Sequence, residues 1–234
     1  MVGTGPHAAK PRAILAISAH WYVPGTRVTA SERPATIHDF GGFPQALYDI
    51  EYPAPGDPQL ARRVQELLAP TPVALADDWG LDHGVWSVLV HLFPQADIPV
   101  VQLSLDQRER PEFFASLGEK LRPLREDNVL LMASGNVVHN LRAFMMSMMG
   151  RGASDDGWGR RFEEYVRERA ASRDLDGLVH FEREGDDARL SVPTIEHYLP
   201  ILPIVGSADD AEAISFPTSG VPSPGISMLS VRVG

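Results

Sequence analysis

The chain of 234 residues contains no cysteine. That absence removes disulfide scaffolds, thiolate nucleophiles and cysteine-ligated zinc or iron–sulfur clusters. Any protein-bound metal must use imidazole, carboxylate or other oxygen donors, and eight histidines are available. Basic side chains are the minority, 21 Lys and Arg against 31 Asp and Glu, for a formal charge of -10. The balance argues against a nonspecific nucleic-acid binder and against a polybasic membrane anchor. No run reaches the roughly 18 apolar residues that a bilayer span requires. Lys10 and Arg12 precede the apolar stretch Ala13 to Ala19, but it meets His20, Trp21 and Tyr22 without a cleavage site, unlike a secretory signal. A cytoplasmic protein is the simplest reading. The P-loop, the zincin helix, the serine elbow and the EF-hand loop are also missing.

What is present suits one α/β domain. Hydrophobic residues make up 44% and charged residues 22%, enough for a sizeable core. Residues 1–12 are rich in Gly, Pro and Ala and are expected to be flexible. Gly3 to Ala8 matches a dinucleotide pattern only loosely, with no strand before it. Ala13–Ala19, Asp97–Leu105 and Val129–Ala133 read as buried strands, and Ile226–Val233 as a terminal strand. Asp57-Pro58 is a helix start, with Leu60, Val64, Leu67 and Leu68 as its apolar stripe. The loop Asp78 to Gly84 feeds a helix with Val85, Val88, Leu89 and Leu92 on one face. Pro111 to Arg125 reads as a helix that Pro123 ends or kinks. Residues 145–158, with four methionines, are expected to form a lid or loop, and those methionines suit core filling or a pocket wall equally. Thr194 to Leu199 reads as the opening of an apolar helix. Strands alternating with helices predict a mixed, mostly parallel central sheet flanked by helices, with no second core.

Ligands in such folds gather beyond the C-terminal ends of strands. His20 follows the first predicted strand and His139 the third, after the turn Gly135-Asn136. His83 and His197 sit at loop-to-helix junctions. His38 lies beside Asp39 and Phe40 in the Gly-containing loop Thr36 to Pro44. Asn136 and Asn140 flank His139 and are positioned to orient its ring. Each histidine also has an ordinary reading, a packing residue satisfied by a backbone carbonyl. His7, His91 and His180 read as surface or packing residues. Both a zinc hydrolase and a non-haem iron(II) oxygenase use a few nitrogen and oxygen ligands with open positions.

Five segments, Ser18 to Trp21, Thr36 to Pro44, Gly80 to Trp86, Gly135 to Asn140 and Glu196 to Pro200, resemble motifs of one family in its own order. The family is the class III, LigB-like extradiol aromatic ring-opening dioxygenases, in the DODA-type branch of 4,5-DOPA extradiol dioxygenases. The resemblance runs from about Pro11 to the C-terminus. It implies iron(II) for activity, with zinc(II) able to occupy the same ligands, and a catecholic, DOPA-like small molecule plus O2 as reactants. It implies His20, His139 and His197 as the metal set. His139 and His83 would be the catalytic side chains, and His38, Asp39 and Phe40 would border the substrate. A monomer or weak homo-oligomer is expected. Family members begin with a strand ending in His-Gly-Ser-Pro, whose histidine is a further ligand. That motif does not occur here, and His7 is a poor substitute. Residues 13–234 are therefore expected to form a catalytic domain shortened at its N-terminus, with a sheet edge or apolar groove where the strand would lie. A zinc-dependent hydrolase on the same scaffold and a catalytically impaired binding protein are the alternatives.

Overall fold

The computed structural model describes residues 10–151 and 157–234. His7, the Gly3 to Ala8 stretch and part of the expected 145–158 lid lie outside the described residues. Elements follow in the order β1 (Ala13–Val23), β2 (Thr26–Thr29), α1 (Gln45–Tyr48), α2 (Pro58–Leu67), β3 (Val73–Ala76), α3 (His83–Leu92), β4 (Val100–Asp106), α4 (Pro111–Leu121), α5 (Pro123–Glu126), β5 (Val129–Ser134), α6 (Leu141–Met148), α7 (Trp158–Ala171), α8 (Leu175–Val179), α9 (Asp186–Ser191), α10 (Ile201–Gly206), β6 (Ile214–Ser215) and β7 (Arg232–Val233). The main sheet has the order β3-β2-β4-β1-β5. β1 runs parallel to both β4 and β5, β2 is parallel to β3, and only the β2–β4 pairing is antiparallel. The architecture is thus the mixed, mostly parallel α/β sheet that the alternation of elements predicts. Residues 10–12, expected to be loose, are tied down. Arg12 donates its backbone N–H to Asn128 O and its Nε–H to Asp127 O.

β1 is central and apolar on both faces because both faces are covered. Ala13, Leu15 and Ile17 point into a core made with α2, α4, α7 and α10, including Val64, Phe114, Phe162 and Leu202. Ile14 and Ala16 point the other way, against Leu81, Val85, Trp86 and Leu89 at and in α3. This is the two-residue side-chain period of a strand, with both faces buried. α2 begins as its sequence predicts: Asp57 caps it by accepting the N–H groups of Gln59 and Leu60, and Pro58 opens it. Pro123 separates α4 from α5, as expected.

Several elements differ from the sequence reading. β2 and β3 were not apparent, because four-residue strands hold too few positions to show a period. On α3 only half of the expected face is buried: Val85 and Leu89 are covered, while Val88 and Leu92 are exposed. The methionine segment is helical, not a loop. Met145, Met146, Met148 and Met149 are all exposed, which excludes core filling. His197 is not in a helix, since α10 starts only after Pro200. The terminal strand is reduced to β7. The N–H groups of residues 227–230 go instead to loop acceptors, Ser227 to Val138 O, Met228 to Gly220 O, Leu229 to the Ser227 hydroxyl and Ser230 to Thr218 O, and no strand is formed there. β5 is an edge strand, and a groove of about 560 Å³ lies against it, bounded across by Val231 to Val233. Among the described residues no helix is long and apolar enough to cross a membrane.

The two-faced core predicts a steep contrast. Leu15→Ala, at a fully buried position of the central strand, is expected to cost about 2–5 kcal/mol in urea unfolding. Met148→Ala, 72% exposed on α6, is expected to change stability by no more than about 0.5 kcal/mol. Equal effects would refute this placement of the core.

Candidate metal centre

β1 pairs with β5 as far as Ser18 and Ser134, and the two chains then part. On its other edge β1 advances from Ile17 to Tyr22 while β4 advances only from Leu103 to Leu105. A bulge of this kind releases residues from the ladder and re-aims their side chains. His20 lies in it. The strand therefore runs on past His20 to Val23, and the bulge, not the strand end that the sequence suggested, presents the imidazole. The site lies just beyond the end of the parallel β1–β5 ladder, at the carboxyl end of the strands where open α/β folds bind ligands.

Four histidines from separate parts of the chain meet there. His20 stacks on His83, with ring centroids 3.9 Å apart, and meets His197 edge-on at 5.0 Å. His139 and His197 stack at 3.5 Å. Each ring is set by its surroundings. His20 Nδ1 lies 3.5 Å from Ser18 Oγ and 3.8 Å from Asp82 Oδ1. Asp82 is wholly buried. It accepts the Ser18 hydroxyl at 2.8 Å and the Gln102 amide at 2.5 Å, and it caps α3 through Val85 N–H. His83 opens α3, and Asp39 Oδ1 accepts its backbone N–H at 2.8 Å while lying 2.9 Å from its ring Nδ1. His139 donates its backbone N–H to Ser191 O and forms a bridge with Ile226. Asn136 N–H is held by His197 O at 2.7 Å.

Two glycines permit this crowding. A Cβ on Gly84 would stand 2.7 Å from Ser18 Oγ and 2.8 Å from His20 Nδ1. A Cβ on Gly135 would stand 2.4 Å from His197 O. All three distances are well inside ordinary contact.

Burial is the largest influence on the paired rings. It pushes His197 down to about 3, helped by repulsion from His139, His20 and His83. Burial also lowers His139. The charge of Glu196 opposes that shift and His20 reinforces it. Both rings are neutral at pH 7, the form that binds metal. Burial opposes ionisation of Asp39, but hydrogen bonds and charge from His83 outweigh it and hold its carboxyl below the usual range.

The donor atoms form two adjoining groups, His20 with Asp39 and His83, and His139 with Glu196 and His197, each within 4.8 Å internally. Neutral imidazoles flanked by carboxylates are a donor set for a divalent transition metal. The residues present therefore fit such an ion. His20, His139 and His197, picked from the sequence, all belong to this one site, as does His83. Phe40 also reaches it, edge-on to His83 at 5.3 Å. Asp39 contacts His83 and approaches His20 to 3.9 Å. His38 is used elsewhere, its Nε2 on Ile50 O at 3.0 Å and its ring against Trp86. Asn136 and Asn140 shape backbone instead of orienting the His139 ring: Asn136 binds Ser227 and Val138, and Asn140 caps α6. Asp82, Ser18 and Glu196 fall within the matched motifs, but the sequence assigned none of them a role. An acid just before a helix is a cap signal, which pointed to Asp82, but nothing local showed that it also backs His20.

The chain was compared with known proteins. The family described as the catalytic LigB subunit of aromatic ring-opening dioxygenase matches residues 5–233. A 4,5-DOPA dioxygenase extradiol from Escherichia coli K12 is 48% identical over 230 residues, covering 96% of this chain and 83% of that protein. One from Beta vulgaris is 35% identical over 207 residues, covering 86% and 75%. A crystal structure of an uncharacterized Escherichia coli K12 protein superimposes with a TM-score of 0.81 at 43% identity, covering 96% of this chain and 87% of that one.

Two outcomes follow from the packing and charge of the site. Gly84→Ala is expected to displace Ser18 or His20, costing about 1–3 kcal/mol and lowering bound metal per chain. Thermal melting and metal analysis check this, and a fully metal-loaded variant with unchanged melting would contradict it. The second concerns the metal-free protein. The folded pKa of His197 lies below the unfolded value near 6.5, so the unfolded chain takes up the proton first. Stability is then full above about pH 6.5 and falls as pH drops toward 3. His197→Asn is expected to flatten that acid slope in urea titrations from pH 7 to pH 4.

Proposed function

The chain belongs to the LigB family of aromatic ring-opening dioxygenases and is an extradiol ring-cleaving enzyme, and on that premise we propose that it opens a catecholic ring with O2 in a metal-dependent reaction at the four-histidine site. The observation that carries the reading is the meeting of His20, His83, His139 and His197 beyond the end of the β1–β5 ladder, with His139 and His197 kept neutral by burial.

His20 and His197 would hold the metal, with His139 as the third imidazole in a zinc-filled form. Iron(II) would supply the redox chemistry between an aromatic diol and O2, which zinc(II) in the same donors does not. The remaining work falls to side chains of this chain. A neutral His139 accepts a proton from a catechol hydroxyl and returns it later in the reaction, as a general base and then acid. Glu196, whose charge favours the protonated ring, steadies that imidazolium. Asp39 faces Nδ1 of His83, which leaves Nε2 of His83 to hydrogen-bond an oxygen of the substrate or of O2. Phe40 sets an apolar edge beside His83 against which an aromatic ring packs.

The deciding experiment is anaerobic iron(II) loading followed by oxygen uptake with a panel of catechols. Uptake stoichiometric with ring opening is expected. Zinc-dependent ester or amide cleavage without oxygen uptake would mean a hydrolase instead. Single substitutions separate the roles. His139→Ala is expected to lower turnover by about 10²- to 10⁴-fold with little change in anaerobic catechol affinity. His20→Ala and His197→Ala are expected to lose metal itself. A His139→Ala protein that holds iron and keeps near-parental oxygen uptake would overturn the acid–base assignment.

A further inference from the structure

A second cavity, of about 230 Å³, adjoins the histidine cluster and takes no part in the proton chemistry described above. His83 is the shared wall. One face of its ring stacks on His20, and Phe40 meets it edge-on. Beyond His83 the cavity is lined by Phe40, Phe43, Leu47, Ile50, Trp86 and Val90. Two polar groups of the walls are already engaged. The Trp86 indole N–H donates to Ile37 O at 2.8 Å, and the Ile50 carbonyl faces the ring of His38. Apart from His83, the polar side chains lining the cavity are Ser87 and His91, and no Lys, Arg, Asp or Glu is among the lining residues. Two of the apolar walls are far from covered: Phe43 is 55% exposed and Leu47 36%. Large apolar side chains left open around a concave pocket mark a place where something else completes the packing.

The geometry points to this cavity as the subsite for the ring substituent of the substrate, and to that substituent being uncharged and apolar. This rests on the catechol reading of the histidine site, since the substituent enters only when the ring lies beside His83. The chemistry of the walls decides the class. A carboxylate or ammonium carried into the cavity would leave water without a partner of opposite charge, whereas an alkyl or aryl group would bury against phenyl, indole and branched aliphatic surface. The Phe40 and Phe43 rings, edge to face at 5.4 Å, form one side of that surface. Selection therefore arises from loop residues 40–50 and from α3, not from the metal donors.

The test is anaerobic calorimetry on the zinc-loaded protein, with catechol, 4-tert-butylcatechol, 3,4-dihydroxybenzoate and L-DOPA as probes. The tert-butyl compound is expected to bind about tenfold tighter than catechol, while neither charged probe gains over catechol. Phe43→Ala, at an exposed position where folding is not at stake, is expected to shrink the ratio of tert-butylcatechol to catechol affinity by roughly threefold or more. Val90→Arg is expected to lower that ratio further and to raise the affinity for 3,4-dihydroxybenzoate. Binding of all four probes with no preference for the tert-butyl group, or with L-DOPA tightest, and with ratios indifferent to both substitutions, overturns the subsite while leaving the catechol reading intact. Failure of every probe to bind overturns the catechol reading itself, and the subsite with it.

Discussion

The buried carboxyl group of Asp82 is the point on which the rest of the site depends. It is out of contact with water and answers three separate parts of the fold at once: Ser18 at the end of the β1–β5 ladder, Gln102 on β4, and the first turn of α3. A polar group in such a place is tolerable only when its hydrogen bonds are made, and once made they fix their partners firmly. Gln102 is anchored in turn by its own backbone N–H on Thr29 Oγ1. The consequence is that the N-terminus of α3 is pinned over the bulge in β1. His83 is thereby laid on His20, and there is no room at position 84 for any side chain.

The same packing decides the charge state of the cluster. Four imidazoles joined in a chain of ring contacts, His83 on His20, His20 on His197 and His197 on His139, disfavour protonation, and burial disfavours it further. The chain has a surplus of ten negative charges, yet few of its acids reach this centre; several pair with arginines at the surface instead, as Glu164 does with Arg167 and Asp176 with Arg183. Among the described residues Asp39, Asp82 and Glu196 come close: Asp39 and Glu196 each meet the pair of histidines nearest to them, and Asp82 lies 3.8 Å from His20 Nδ1. The site is therefore assembled from neutral donors with carboxylates at its border, the balance that a divalent ion completes.

Much of the framework was legible because it is local. Apolar continuity in Ala13–Ala19 and Val129–Ala133 marked the two strands that carry the site, and Asp57-Pro58 and Pro123 marked helix limits through the fixed geometry of proline and the hydrogen bonding of aspartate. The four site histidines could be picked out because they fall near the ends of elements. Other features escaped for physical reasons. β2 and β3 are too short to show alternation. The alternating Leu229 to Val233 segment looks like a strand, but its backbone groups are taken by loops, and a ladder needs a neighbour that sequence does not announce. The methionines of α6 had apolar character suited to a core, yet nothing in their pattern said that no other element would cover them.

The sequence by itself determined the class of fold, the absence of thiolate ligands, the histidines available for a metal and, through five ordered motifs, the family. These follow from composition and from neighbours within a few residues. The tertiary structure alone decided that a bulge aims His20, that Asp82 backs it, that Asp39 serves His83 while His38 turns to Ile50, and that an apolar cavity opens beyond His83. Each of those depends on residues tens of positions apart coming within a few ångströms, and burial, register and close approach are properties of that assembly, which no local pattern of side chains encodes.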